Sequence, residues 1–269
     1  MWLEALLLLA MLSAAVLYDC SRRCRYLMRQ SVLYLGGLVV GLCVTPLGLR
    51  RPCDPRNSLL FTRPLRAIGW LLGVEWQVRG AERLCADTAC VVVANHRDAL
   101  DVLGMVELWP HFGRLVTVMK REIWLGFPFA LGAWLCGQIF IDRSNPARAR
   151  QSLLHAQQRM CDERLAVWFF PEGTRNRGAG LLPFKKGAFH MAVSAQVPVV
   201  PIVFGPYQHF LEPREWRFEP GRAVVQALEP VPTAGLTAED VPRLLDQVQR
   251  SMAEVYGHLS DELLSKKAA

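Results

Sequence analysis

Seven short apolar runs, rich in β-branched residues, follow one another after Val74, and they limit what this chain can fold into more than any other feature. They are EWQVR (75–79), ACVVVA (89–94), LVTVM (115–119), QIFID (138–142), LAVWFF (165–170), VPVVPIVF (197–204) and AVVQAL (223–228). Runs of this length and make-up form strands. Helical patterns lie between several of them. One covers 98–108; another is PARARQSLLHAQQRM, with Asn145 placed to cap it and Pro146 at its first position. Strand and helix in turn predict an α/β domain: a mixed sheet with helices on its faces, over 75–269. Near the end, Thr237 with Asp240 makes a loose capping box. Apolar residues from Val241 to Leu263 then recur at helical spacing, predicting an amphipathic helix over 240–264 that packs on the domain or on a membrane.

The first 74 residues follow a different rule. Ala5 to Tyr18 are apolar apart from one serine, and no basic cluster precedes them, so a cleavable signal peptide is not the reading. Arg22, Arg23, Arg25 and Arg29 come next, and then a second apolar run from Ser31 to Leu49, loosened by Gly36, Gly37, Gly41, Pro46 and Gly48. Both runs are near the short limit for crossing a bilayer, which takes about 20 apolar residues. Two full spans would separate the first arginine cluster from Arg50, Arg51 and Arg56, against the tendency of basic residues to stay on the cytosolic side. A shallow or re-entrant second segment keeps the clusters together, and both arrangements stay open. Residues 1–57 are thus expected to form a membrane anchor of two hydrophobic segments. The stretch 58–74 reads as an amphipathic helix on the membrane surface, with a core helix as the competing reading.

Charge and cysteines narrow the partners. The chain carries 31 basic and 24 acidic side chains, a net charge of +7, which favours an anionic partner. Beside two apolar N-terminal segments, that partner is a membrane surface or a phosphorylated substrate, and not nucleic acid. The 8 cysteines are scattered with no CxxC pair and no histidine at ligand spacing. No metal site is predicted, and a reduced, cytosol-facing chain is the economical reading.

Nucleophile elbows, P-loops, HExxH pairs and complete GxGxxG loops are all absent, so chemistry must be built another way. In VVVANHRDALD a strand ends at Asn95, followed by His96 and, five positions on, Asp101. On one helix that offset turns about 500°, leaving the two on different faces. They meet only if His96 lies in the turn before a helix and Asp101 in its first turn, with Asp98 as N-cap. Asp101 then accepts the Nδ1 proton and leaves Nε2 as a general base for a hydroxyl. A second block, FFPEGTRNRG, ends another strand in Glu172, Gly173, Thr174 and Arg175, with Lys185 and Lys186 farther on. A glycine, a hydroxyl and a guanidinium there suit a phosphate.

Together these blocks resemble the glycerophospholipid acyltransferase superfamily, and within it the 1-acylglycerol-3-phosphate O-acyltransferases. The resemblance rests on NHRDALD (95–101), GQIFIDR (137–143), FPEGTR (170–175) and VPVVPIVF (197–204), in that order, and covers roughly residues 75 to 250. It implies that His96 and Asp101 are the catalytic pair. By the same resemblance Glu172, Gly173, Thr174 and Arg175 bind the glycerol phosphate of the acceptor, Arg143 and Lys185 belong with them, and Pro198 and Pro201 line the acyl region. It further implies a membrane enzyme of phospholipid biosynthesis on the endoplasmic reticulum, its catalytic domain facing the cytosol. The reaction moves an acyl group from acyl-CoA, a co-substrate and not a bound cofactor, to the sn-2 hydroxyl of lysophosphatidic acid, giving phosphatidic acid. Two alternatives stay open: an acyltransferase for another lysophospholipid, and an inactive lipid-binding membrane protein. The sequence departs from the family between the catalytic pair, where Arg97 and Asp98 replace small uncharged residues. Asp98 is therefore expected to compete for His96 or perturb it.

Overall fold

Valine-rich strands with no polar face must be covered on both sides, and that requirement organises the molecule. The computed structural model describes residues 2–126, 129–142 and 144–265. Nine strands are found among them: β1 (Val74–Arg79), β2 (Cys90–Ala94), β3 (Leu115–Lys120), β4 (Ile139–Ile141), β5 (Ala166–Phe169), β6 (Val199–Phe204), β7 (Leu211–Glu212), β8 (Arg217–Phe218) and β9 (Gly221–Ala227). Seven of them form one sheet in the order β1-β9-β6-β2-β5-β3-β4. Every pair in it is parallel except β6 with β9, so the expected mixed sheet is what the chain forms. All seven expected strands are present. The small β7–β8 hairpin carries no sequence pattern and was not expected.

Alternation along β2 divides the core. Val91 and Val93 face a cluster completed by the helices α6 (Pro146–Glu163), α7 (Gly187–Ala195) and α8 (Val241–Leu264). Cys90, Val92 and Ala94 face the other cluster, closed by α2 (Arg22–Gly48), α3 (Thr62–Leu71) and α4 (Asp101–Phe112). Asn145 caps α6 through its side chain, 3.1 Å from the Arg148 amide, as its sequence predicts. The Thr237–Asp240 box forms too, around a short 3-10 turn that leads into α8.

At the N-terminus α1 (Trp2–Cys20) precedes α2, and the arginine cluster read as lying between the two apolar runs is part of α2 itself. That helix begins nine residues earlier than the apolar run, because Ser21 caps it at the Cys24 amide. Its first turns dock on the β7–β8 region: Arg23 lies over Trp216, Arg25 pairs with Glu219, and the buried Arg29 bonds the Leu72 carbonyl and covers Phe218. Its far end is held by Asn57, whose side chain donates to the Gly48 carbonyl as well as to those of Arg51 and Leu135. There Gly48 passes α5 (Phe129–Leu135) closely. Among the described residues α2 is the one helix long and apolar enough to cross a membrane. The stretch 58–74 divides into the end of a 3-10 turn and α3, whose Leu65 and Ile68 enter the core while Trp70 and Leu71 stay exposed.

Candidate active site

β2 lies mid-sheet with β5 and β6 parallel on either side, so the loops leaving the C-terminal ends of all three meet on one rim. Open α/β sheets hold ligands at such rims. Asn95 fixes the first loop by a two-way clamp: its Nδ2 donates to the Phe204 carbonyl at 2.9 Å and its Oδ1 accepts the Phe204 amide at 2.8 Å.

His96 then sits in the loop and Asp101 opens α4, the only arrangement in which a five-residue offset lets the two touch. His96 Nδ1 is 2.7 Å from Asp101 Oδ2. The same oxygen accepts the amides of Arg97 at 2.7 Å and Asp98 at 3.1 Å, while Oδ1 accepts the hydroxyl of Tyr207 at 2.8 Å. Asp101 is fully buried, yet four donors answer its charge. An acceptor at Nδ1 holds the proton there and leaves the Nε2 lone pair free, the state a general base requires. Phe170 stacks on the imidazole with ring centroids 4.0 Å apart and restricts its rotation.

Asp98 behaves differently from the expectation. The helix starts two residues later than an Asp98 cap requires, and no side chain caps it. Instead Asp98 Oδ1 accepts the Leu100 amide within the turn, and Oδ2 takes the Arg177 guanidinium. That cation answers the charge of the departing residue.

Glu172 is buried, and both its oxygens are occupied: Oε1 by the His96 amide at 2.9 Å, Oε2 by the Leu182 amide at 3.1 Å. It ties two loops together, so the acceptor-binding role implied by resemblance is not where its oxygens point. Burial pushes its carboxyl above the ordinary value, against the pull of the His96 and Leu182 amides and of Arg97. Three more ties join the same loops. The Asn176 amide bonds the His96 carbonyl at 2.7 Å, Arg97 reaches the Gly178 carbonyl at 2.8 Å, and Arg177 pairs with Asp98. The His96 loop and the Glu172 loop are therefore one unit.

On its outer side Thr174 and Arg175 are exposed, and Arg175 makes no hydrogen bond or ion pair among the described residues. Gly173 has a φ of +74, and a Cβ there would come within 2.6 Å of Lys185 Nζ. The glycine thus serves a left-handed turn and leaves room for an ammonium two residues from Arg175. Arg143 lies outside the described residues. Pro198 and Pro201 do not join the rim. Because β6 runs parallel to β2, the Pro198 carbonyl meets the Val91 amide at the opposite end, about 16 Å from His96 at 3.3 Å per strand residue. Pro201 is buried mid-sheet, opposite Val93.

Four neighbours escaped the sequence reading as parts of the site: Asn95, Phe170, Arg177 and Tyr207. Arg177 was visible as a charge, but nothing in the chain announces that it meets Asp98.

Comparison with known proteins bears on the family and the fold. The Acyltransferase family profile matches residues 75–205. Human 1-acyl-sn-glycerol-3-phosphate acyltransferase alpha is 40% identical over 251 residues, covering 91% of this chain and 86% of that protein. The human beta enzyme is 40% identical over 215 residues, 77% of each chain. In three dimensions the chain is similar to the crystal structure of the 1-acyl-sn-glycerophosphate acyltransferase PlsC from Thermotoga maritima, with a TM-score of 0.68 at 23% identity. That match covers 87% of this chain and 97% of the other, and speaks for the shared fold.

Proposed function

The chain belongs to the 1-acyl-sn-glycerol-3-phosphate acyltransferase family, and we propose that it moves a fatty acyl group from acyl-CoA to the sn-2 hydroxyl of lysophosphatidic acid. The product is phosphatidic acid. One observation carries the reading at the level of chemistry: a His96–Asp101 pair is joined, through the Asn176 amide, to a loop that presents an exposed Arg175. Hydroxyl activation and phosphate recognition are thereby fixed relative to each other.

In the proposed reaction His96 Nε2 takes the proton of the sn-2 hydroxyl as its oxygen attacks the thioester carbonyl. The C–S bond breaks and CoA leaves as a thiolate, which recovers the proton from the imidazolium. Asp101 stabilises that imidazolium and keeps Nδ1 protonated. Arg175 and Lys185 hold the acceptor phosphate, where a planar guanidinium gives two parallel bonds and an ammonium adds charge. No protein nucleophile takes part.

The reading includes attachment to the cytosolic face of the endoplasmic reticulum through α1 and α2. Supporting it, α1 exposes Trp2, Leu6, Leu8, Leu9, Met11 and Leu12, and α2 exposes Leu35, Leu38, Val39 and Leu42. Because both ends of α2 are fastened to the domain, the helix is read as lying in the membrane interface with its outer face in lipid. All 8 cysteines are free thiols, in keeping with a reducing compartment.

The test is purified protein in mixed micelles with labelled oleoyl-CoA and a panel of lysolipids. Phosphatidic acid as the dominant product supports the proposal. Equal use of lysophosphatidylcholine, or binding of lipid without turnover, overturns it.

A further inference from the structure

We infer that Tyr207 is the third member of the His96–Asp101 unit, a positioning residue that fixes the Asp101 carboxylate and sets how basic His96 becomes. The inference rests on the reading of His96 as general base. Asp101 has two oxygens in unequal circumstances: Oδ2 collects His96 and two backbone amides, whereas Tyr207 is the donor to Oδ1, at 2.8 Å. Without that hydroxyl a buried anionic oxygen is left with no donor, and the carboxylate is free to turn away from the imidazole.

The surroundings hold the phenol in place. The edge of its ring meets Trp76 at 6.1 Å and an 86° angle, and Phe210 packs beside it at 5.8 Å. Its carbonyl accepts the amides of Phe210 and Leu211, which anchor the backbone at the turn after β6. Burial, and then the charge of Asp101, push the phenol well above its ordinary pKa, so it remains a donor across the working range. The charged groups facing the unit are Arg97, Asp98, Glu172 and Arg177. Asp98 is answered by Arg177, and Glu172 is bound to the His96 amide.

The sign of the effect follows. A carboxylate that loses a donor becomes more basic and holds the neighbouring imidazolium more tightly. His96 then releases its proton at higher pH, so the acid limb of the kcat/KM profile moves upward. For Tyr207→Phe we expect kcat to fall roughly tenfold or more, KM for both substrates to change less than about twofold, and the acid limb to rise. Site-specific 3-fluorotyrosine at 207, a stronger donor of nearly the same shape, should move the limb downward and remains informative if Tyr207→Phe folds poorly. In an Asp101→Asn background, Tyr207→Phe should cost less than about twofold, since its effect passes through the carboxylate.

An unmoved acid limb in both the phenylalanine and fluorotyrosine proteins overturns the inference, as does a full multiplicative loss in the Asp101→Asn background. His96→Ala separates the two levels. If that variant stays active the general-base reading itself fails; if it is dead while the Tyr207 variants behave as wild type, the inference about Tyr207 fails alone.

Discussion

Asp98 and Arg177, separated by 79 positions, form an ion pair in which Nη2 and Nε lie 2.5 Å and 2.7 Å from one carboxylate oxygen. The partners are unequal: the Asp98 side chain is 2% exposed and that of Arg177 47%. Removing the anion leaves a guanidinium that water can take over. Removing the cation leaves a buried carboxylate without its partner. Arg177→Ala should therefore destabilise more than Asp98→Ser, by about 2 kcal/mol against about 1 kcal/mol or less, after allowance for the solvent that reaches Arg177. Urea unfolding of both variants decides this. Equal costs would show that the pair does not hold the loops.

His96→Ala should abolish acyl transfer while leaving the fold and lipid attachment intact, since general-base assistance alone is worth roughly 10²- to 10⁴-fold. Asp101→Asn should lose most of the activity, because an amide offers Nδ1 a different partner and permits the wrong tautomer. The measurement is turnover of labelled acyl-CoA by folded, vesicle-bound protein.

Arg175→Ala should raise KM for lysophosphatidic acid far more than for acyl-CoA, by about ten- to a hundredfold, the worth of one or two charge-assisted bonds. Arg175→Lys should recover only part of the loss. A defect confined to acyl-CoA would move Arg175 to the donor's phosphates.

Glu172→Gln keeps one acceptor oxygen for two backbone amides, those of His96 and Leu182. We expect a loss of about 1 kcal/mol in stability together with a clear fall in kcat, because the amide released belongs to the catalytic loop. Unchanged kcat would mean the remaining ties hold His96 without it.

Removing residues 1–20 should weaken lipid attachment and leave a folded domain. Removing 1–50 should unfold or aggregate it, because α2 supplies Leu33 to the core and Arg29 to the Leu72 carbonyl. Thermal unfolding and flotation with vesicles separate these outcomes; a well-folded 51–269 fragment would show α2 to be only an anchor.

The sequence by itself determined the elements that depend on neighbours in the chain. Valine-rich runs fix where strands lie, Asn145 and Thr237 fix where helices begin, and the five-residue offset already required His96 in a loop and Asp101 in a first helical turn. Tertiary structure decided whatever depends on strand order. Placing β2 between β5 and β6 brings His96 to Glu172, Asn176 and Tyr207, residues 76 to 111 positions away in the sequence, and carries Pro198 to the far rim. The same order gave Asp98 its cation, made Glu172 a strut, and buried Arg29 of α2 against the Leu72 carbonyl, where the sequence showed only one charge in a basic cluster. Local propensity acts over a few residues, whereas a buried charge takes whichever partner the packed sheet brings within hydrogen-bond reach.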